Sequence, residues 1–125
     1  MKQIAQRHAA KPYELSPHGM TQAVRQQLAI GLFDQHAVTL RLGVSVRTLQ
    51  RRLAADGTSF QALLSETRRQ MAVRYLRDGR HTVKEVAYLL GFADLSNFAR
   101  TCRGWFGVPP TRLHQSDNFP ALTRE

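Results

Sequence analysis

Two short segments of this 125-residue chain carry side-chain types that read the edges of DNA bases. They are Arg47, Gln50 and Arg51 in the first segment, and Ser96, Asn97 and Arg100 in the second. Each segment contains pairs of these residues three or four positions apart, a spacing that a helix presents on one face. Arginine reaches both acceptors of guanine, and glutamine or asparagine pairs with adenine in a similar bidentate way. The chemistry that these residues predict is base recognition in duplex DNA.

Catalytic chemistry has no comparable support in the sequence. The five histidines are scattered and lack the HExxH spacing that places two zinc ligands on one helix face. Cys102 falls on the apolar face of its predicted helix, where a thiol is more often a small buried side chain than a nucleophile. We therefore predict that the chain is not an enzyme and needs no cofactor or metal. The histidines are His8, His18, His36, His81 and His114.

The charge of the chain favours a polyanionic partner. Its formal net charge is +9, from 18 Lys and Arg residues, mostly Arg, against 9 Asp and Glu residues. A field of this sign and size attracts nucleic acid or an acidic membrane surface. The apolar stripes are needed to build a core, so a membrane-surface helix is the weakest interpretation. Since no segment resembles a signal peptide or a membrane span, the sequence predicts a cytoplasmic, nucleoid-associated protein without a membrane partner.

The elements that would position these side chains are helices, and the predicted fold class is all-α. Apolar residues recur at helical spacing from about residue 21, separated by capping residues and glycines, and no strand pattern appears. We expect a tail or linker remnant over 1–20 and a DNA-binding domain over 21–116, followed by a C-terminal tail over 117–125. Within the domain we expect two small subdomains, 21–57 and 80–115, joined by a linker helix over 59–78.

A degenerate internal repeat supports this division. Residues 38–43 (VTLRLG) match residues 86–91 (VAYLLG) at an offset of 48 positions, the sequence separation of Gly43 and Gly91. Each copy predicts a short helix, a glycine turn and a second capped helix, which is the pattern of a helix-turn-helix. A pair of ordinary αα-hairpins remains the alternative. A linker helix of roughly 28 Å is long enough to hold two recognition helices about one DNA turn apart.

Longer stretches around the two copies resemble one protein family. Residues 42–53 (LGVSVRTLQRRL) are similar to the first helix-turn-helix of the AraC/XylS transcription regulators. Residues 86–100 (VAYLLGFADLSNFAR), followed by 106–110 (FGVPP), resemble the second. The resemblance implies a two-lobed fold of about seven helices and sequence-specific binding beside promoters. It also implies that the protein activates transcription by contact with RNA polymerase.

The resemblance further suggests a role for individual residues. It places Arg47, Gln50 and Arg51 of the first unit, and Leu95, Ser96, Asn97 and Arg100 of the second, against DNA bases. Phosphate contacts are expected from Ser45, Thr48, Arg52, Thr111 and Arg112, which lie at helix N-termini or beside the reading positions.

The sequence departs from the family pattern at four positions and in its length. Gln35 and Thr39 stand where apolar residues are usual, and Cys102 replaces a core aromatic with Gly104 nearby. We therefore expect a loosely packed first unit and marginal stability. The chain has no room for the effector-binding domain of longer members, so no small-molecule effector is expected, and we favour the C-terminal part of a longer regulator over a stand-alone member. A protein-interaction module or degenerate regulator fragment without specific DNA binding remains the alternative function.

Overall fold

The computed structural model describes residues 18–114, and within them the chain forms seven helices and no strand. The predicted all-α fold class is confirmed. The predicted N-terminal tail lies outside the described residues up to position 17, and the predicted C-terminal tail lies outside them altogether. The helices are α1 (Gly19–Ala29), α2 (Gln35–Leu42), α3 (Val46–Ala55), α4 (Phe60–Asp78), α5 (Val83–Leu89), α6 (Leu95–Phe106) and α7 (Pro110–His114).

Four helices begin at residues whose side chains cap the first turn. The carboxylate of Asp34 accepts a hydrogen bond from the third amide of its helix, and Asp94 and Ser45 cap α6 and α3 in the same way. Thr82 and Glu85 form a reciprocal capping box at the start of α5. Because the first amides of a helix lack intrahelical partners, these side chains fix where each helix starts.

Two glycines end the helices that precede α3 and α6. Gly43 follows α2 with a φ of 71°, and Gly91 lies two residues after α5 with a φ of 81°. Glycine adopts this left-handed conformation without the steric penalty that other residues incur. The amide after each glycine bonds back into the preceding helix, from Val44 to the carbonyl of Thr39 at 3.1 Å and from Phe92 to that of Ala87 at 3.0 Å.

Helix α1 is shorter at its C-terminal end than the periodicity predicts. The apolar spacing extends to Leu32 and Phe33, but the helix ends at Ala29 and the chain turns at Gly31, where φ is 92°. Both side chains nevertheless pack, partly buried, against the core of the first unit. An apolar residue in a loop that folds back onto the core has the same sequence signature as one in a continuing helix, which explains the difference.

The described residues divide into two compact units, 18–64 and 65–114. Each unit has its own buried apolar residues, contributed by three helices or more. In the first they are Met20, Ala23, Val24, Leu28, Val38, Leu42, Leu49, Leu53, Phe60, Leu63 and Leu64. In the second they are Met71, Ala72, Val73, Leu76, Val86, Ala87, Leu90, Phe98, Cys102, Phe106 and Leu113.

The polar residue Thr39 is accommodated in the first unit without an unsatisfied group. It is 2% exposed, and its hydroxyl donates a 2.6 Å hydrogen bond to the carbonyl of His36 within the same helix. A buried hydroxyl is costly only when it lacks a partner. Gln35 is half-buried at the first position of α2.

None of the helices between residues 18 and 114 has the length and apolar character that a bilayer-spanning helix needs.

Candidate nucleic-acid interface

Helix α3 separates its apolar and polar side chains onto opposite faces. Leu49 and Leu53 are fully buried in the first unit. Arg47, Gln50 and Arg51, the predicted base-reading residues of this unit, are all exposed. Two inward leucines four residues apart fix the rotation of the helix, and the remaining face then presents the polar side chains to solvent.

The predicted phosphate contacts at the start of α3 lie together. The Ser45 hydroxyl accepts a 3.0 Å hydrogen bond from the Thr48 amide and donates one of 3.0 Å to the Thr48 hydroxyl. Both hydroxyls therefore already serve the helix cap, while the first-turn amides of this ten-residue helix point out of its N-terminus, where anions are favoured. Arg52, the third predicted phosphate contact here, is half-buried near the C-terminal end.

Helix α6 repeats this arrangement with different residue types. Phe98 and Cys102 are fully buried. Ser96, Asn97 and Arg100, predicted to read bases, are exposed. The face that α6 presents therefore corresponds to that of α3, although it carries fewer cationic groups.

Leu95, the fourth predicted base-reading residue of the second unit, begins α6 and is 44% exposed. It lies beside an open recess of about 490 Å³. Tyr88 borders the same recess and is 81% exposed, the most exposed of the large apolar or aromatic residues in the described part of the chain. The recess is lined by Lys84, Ala87, Tyr88, Phe92, Ala93, Asp94 and Leu95.

Two predicted phosphate contacts lie on the last helix. Thr111 and Arg112 are exposed on α7, while the next residue, Leu113, is buried. Helix α7 packs against both α5 and α6. The pattern that places Leu113 inward therefore presents the two polar side chains to solvent in the same unit as α6.

Arg68, a half-buried residue of α4, is a candidate that the sequence does not indicate. Its Nε donates a 2.8 Å hydrogen bond to the carbonyl of Leu90, and Nη2 donates one of 3.0 Å to the carbonyl of Gly91. The guanidinium carbon lies 4.4 Å from the centre of the Phe92 ring. Partial burial removes solvent from the guanidinium and lowers the pKa of Arg68 from its ordinary value. In the sequence, nothing distinguishes Arg68 from the other arginines of the same helix.

Aromatic rings connect this arginine to α6. The Phe92 ring lies 5.1 Å from that of Phe98 and 6.3 Å from that of Trp105, between ring centroids. Trp105 is also 5.8 Å from Phe106 and donates its indole N–H to the hydroxyl of Ser65 at 3.3 Å. Such ring pairs contribute about 0.5–1.5 kcal/mol each beyond the area that they bury. The N-terminal part and the C-terminal end of α6 are therefore joined by one aromatic cluster.

Burial lowers the reactivity of the Cys102 thiol. Burial raises the pKa of the Cys102 thiol to about 12, so that the nucleophilic thiolate is scarcely populated near neutral pH. Between residues 18 and 114, no group of three or more His, Cys, Asp or Glu side chains could hold a metal ion.

Comparison with known proteins identifies the family. The helix-turn-helix domain family matches residues 38–116. An uncharacterised HTH-type transcriptional regulator of Mycobacterium tuberculosis is 43% identical over 74% of this chain and 28% of its own length. The regulator VirS of the same species is 35% identical over 87% of this chain and 33% of its own length. A DNA-binding transcriptional dual regulator of Escherichia coli K-12 has a similar structure, with a TM-score of 0.71 and 25% identity over 81% of this chain and 93% of that protein. The chain spans about a third of the curated relatives and belongs to the AraC-type helix-turn-helix family of transcription regulators.

Proposed function

We propose that this chain binds duplex DNA at specific sequences and thereby regulates transcription, with α3 and α6 each entering a major groove. The observation that carries the proposal is that both helices bury an apolar face and expose arginine together with an amide side chain. Arginine and amide side chains form bidentate hydrogen bonds with guanine and adenine in the major groove.

Arg51 and Arg100 are the strongest candidates for base contacts. The repeat relates them to each other, one position beyond the offset of the glycines, and both are exposed. Arg47, Gln50, Ser96, Asn97 and Leu95 complete the two reading faces. Leu95 offers an apolar contact of the kind that the methyl group of thymine accepts.

Phosphate contacts supply most of the attraction in this proposal. Ser45, Thr48 and Arg52 flank the first reading face, and Thr111 and Arg112 belong to the second unit. With a net charge of +9, binding to any duplex weakens steeply as salt rises, because each neutralised phosphate releases condensed counterions.

The proposal extends to the site of action and the output. The partner DNA is that of the nucleoid, and the family resemblance favours activation of transcription through RNA polymerase. No enzymatic step and no small-molecule effector is assigned to this chain. Transcription from a template carrying the bound site, with purified polymerase and with or without the protein, measures the output directly.

A second function, binding of a protein partner without specific DNA recognition, is favoured by one observation. Tyr88 is 81% exposed beside the apolar recess of the second unit. An exposed aromatic side chain at an apolar depression is more typical of contact surfaces than of inert surface. A variant carrying both Arg51→Ala and Arg100→Ala separates the functions, since an interaction module retains its protein partner after both changes.

The test of DNA reading is selection of bound sequences from a random duplex library at near-physiological salt. The proposal predicts enrichment of an asymmetric site of roughly 15–20 base pairs that contains two short motifs about one turn apart. Enrichment of a single short motif would restrict reading to one unit. If the folded chain enriches no sequence, the proposal fails and the interaction function takes its place.

A further inference from the structure

We propose that Arg68 is a positioning residue for DNA reading by the second unit, because it sets the turn from which α6 starts. This inference rests on the proposed function. Arg68 is assigned no contact with DNA. It acts through the turn between α5 and α6, which determines where Leu95, Ser96 and Asn97 are presented.

The hydrogen bonds of Arg68 end on consecutive carbonyls of that turn. The Leu90 and Gly91 carbonyls lie just beyond α5, where helices leave carbonyl oxygens without intrahelical donors. A planar guanidinium donates along two directions from one rigid group, so it fixes the direction of both carbonyls together. Lysine has a single charged nitrogen on a flexible stem and does not impose this geometry.

The stacking of Arg68 carries the constraint into α6. Phe92 lies beneath the guanidinium and packs against Phe98, which is fully buried in α6. Only Ala93 and the capping residue Asp94 separate Phe92 from the first residue of the helix. A displacement of the turn would therefore move the N-terminus of α6, where three of the four predicted base-reading residues of this unit lie.

The first unit forms the same turn without an arginine at the corresponding place. At the repeat offset of 48 positions, Met20 corresponds to Arg68, Val24 to Ala72 and Leu28 to Leu76. All three residues of the first unit, Met20 included, are buried in its core. The second unit thus has a partly buried cation, with a lowered pKa, where the first unit has an apolar core residue. This cation forms its hydrogen bonds with the turn.

The experiment compares Arg68→Met, which inserts the residue of the first unit, with the unaltered full chain on two duplexes. One carries both selected motifs, and the other has the second unit's motif scrambled. That motif is identified as the one whose base preference Arg100→Ala alters. We expect Arg68→Met to weaken binding to the intact site about tenfold, or about 1.4 kcal/mol. Binding to the scrambled duplex should change less than about twofold, because the first unit is intact and the loss of one charge from a net charge of +9 weakens nonspecific attraction only slightly.

Arg74→Met is the matched control for charge. Arg74 is exposed on the same helix, so the change removes the same charge from α4 away from the turn. We expect this control to weaken binding slightly and equally on both duplexes. Arg68→Lys retains the charge of Arg68 and the stem, and provides a folded variant if Arg68→Met is unstable. It should still lose preference for the second motif.

Amide hydrogen exchange supplies a readout that requires no DNA. The Gly91 and Phe92 amides donate to the carbonyls of Tyr88 and Ala87 within the turn. In Arg68→Lys their exchange should accelerate about tenfold, while the amides of α3 keep their rates. Unchanged exchange would overturn the inference, as would a loss of affinity equal on both duplexes. If the unaltered chain itself prefers no sequence, the proposed function fails; if it does and Arg68→Met retains that preference, the positioning role alone fails.

Discussion

The two units form the same backbone turn and support it with different side chains. The residue after the glycine is Val44 in the first unit and Phe92 in the second, and each amide bonds to the helix five residues earlier with nearly equal length. Val44 packs, partly buried, against a mostly aliphatic core in which Phe60 is the buried aromatic residue. Phe92 instead lies between an arginine and two further aromatic rings. A fixed backbone motif therefore tolerates either an aliphatic or an aromatic support.

The predicted recognition helices α3 and α6 also differ in the charge of their side chains. Helix α3 carries Arg47, Arg51 and Arg52, whereas α6 carries Arg100 and Arg103 and begins at the acidic cap Asp94. We expect DNA binding by the first unit to depend more on electrostatic attraction, and DNA binding by the second unit to depend more on shape and apolar contact.

The largest predicted effect tests the aromatic support. Phe98→Ala removes a fully buried ring from the second unit and should lower the free energy of unfolding by about 3–5 kcal/mol. The matched change at the corresponding place in the first unit, Leu49→Ala, should cost less, because no aromatic stacking is lost with it. Urea unfolding followed by circular dichroism and by the fluorescence of Trp105, the single tryptophan, measures both. Equal losses would mean that the aromatic cluster adds nothing to packing.

A smaller effect tests two contacts, one in each unit. Each contact joins the C-terminal end of α3 or α6 to the first helix of the same unit. In the first unit, the Thr21 hydroxyl donates a 2.6 Å hydrogen bond to the Asp56 carboxylate, which also lies 3.3 Å from His18. Thr21→Val should lower the free energy of unfolding by about 1.5 kcal/mol, because a hydrogen bond to a charged group is lost.

The matching contact in the second unit is the bond from Trp105 to Ser65, which is longer and exposed. Ser65→Ala should therefore cost less than about 0.5 kcal/mol in the same unfolding assay. A cost for Ser65→Ala that reaches that of Thr21→Val would contradict the distinction between the two contacts.

The last effect is absent near neutral pH and develops only in alkali. The Cys102 thiol keeps its proton in the folded chain up to about pH 12, whereas an ordinary thiol loses it near 9.0. Because the unfolded chain releases this proton first, rising pH favours unfolding across that interval. The free energy of unfolding should thus fall more steeply between pH 9.0 and about 12 for the parent than for Cys102→Ala. Parallel pH profiles for the two proteins would refute a protected thiol.

The sequence predicts the helix starts well because the determinants are local. Each capping side chain accepts a hydrogen bond from the amide three residues further along the chain, so a short sequence pattern contains both partners. The capping residues are Asp34, Ser45, Thr82 and Asp94. The faces of α3 and α6 follow with equal ease from the spacing of their apolar residues.

The support of the second turn is not predictable in this way. Arg68 contacts carbonyls 22 and 23 residues further along the chain, and Arg69 beside it offers the same sequence signature. Which arginine faces inward depends on how α4 packs in the second unit, and that is a property of the fold. The roles of the individual base-reading residues also depend on more than local sequence, because they depend on a partner molecule. They remain predictions.

In the proposed function each unit reads its own motif, and repeating the sequence selection with two variants tests this directly. Arg51→Ala and Arg100→Ala should each weaken binding to the parent site by about 1–3 kcal/mol and relax preference at one position. The two changes should affect different motifs, and each variant should retain the other motif. Relaxation of the same motif by both variants would refute separate reading. An equal loss of affinity for selected and scrambled DNA would also refute it, because residues that touch only phosphate give that result.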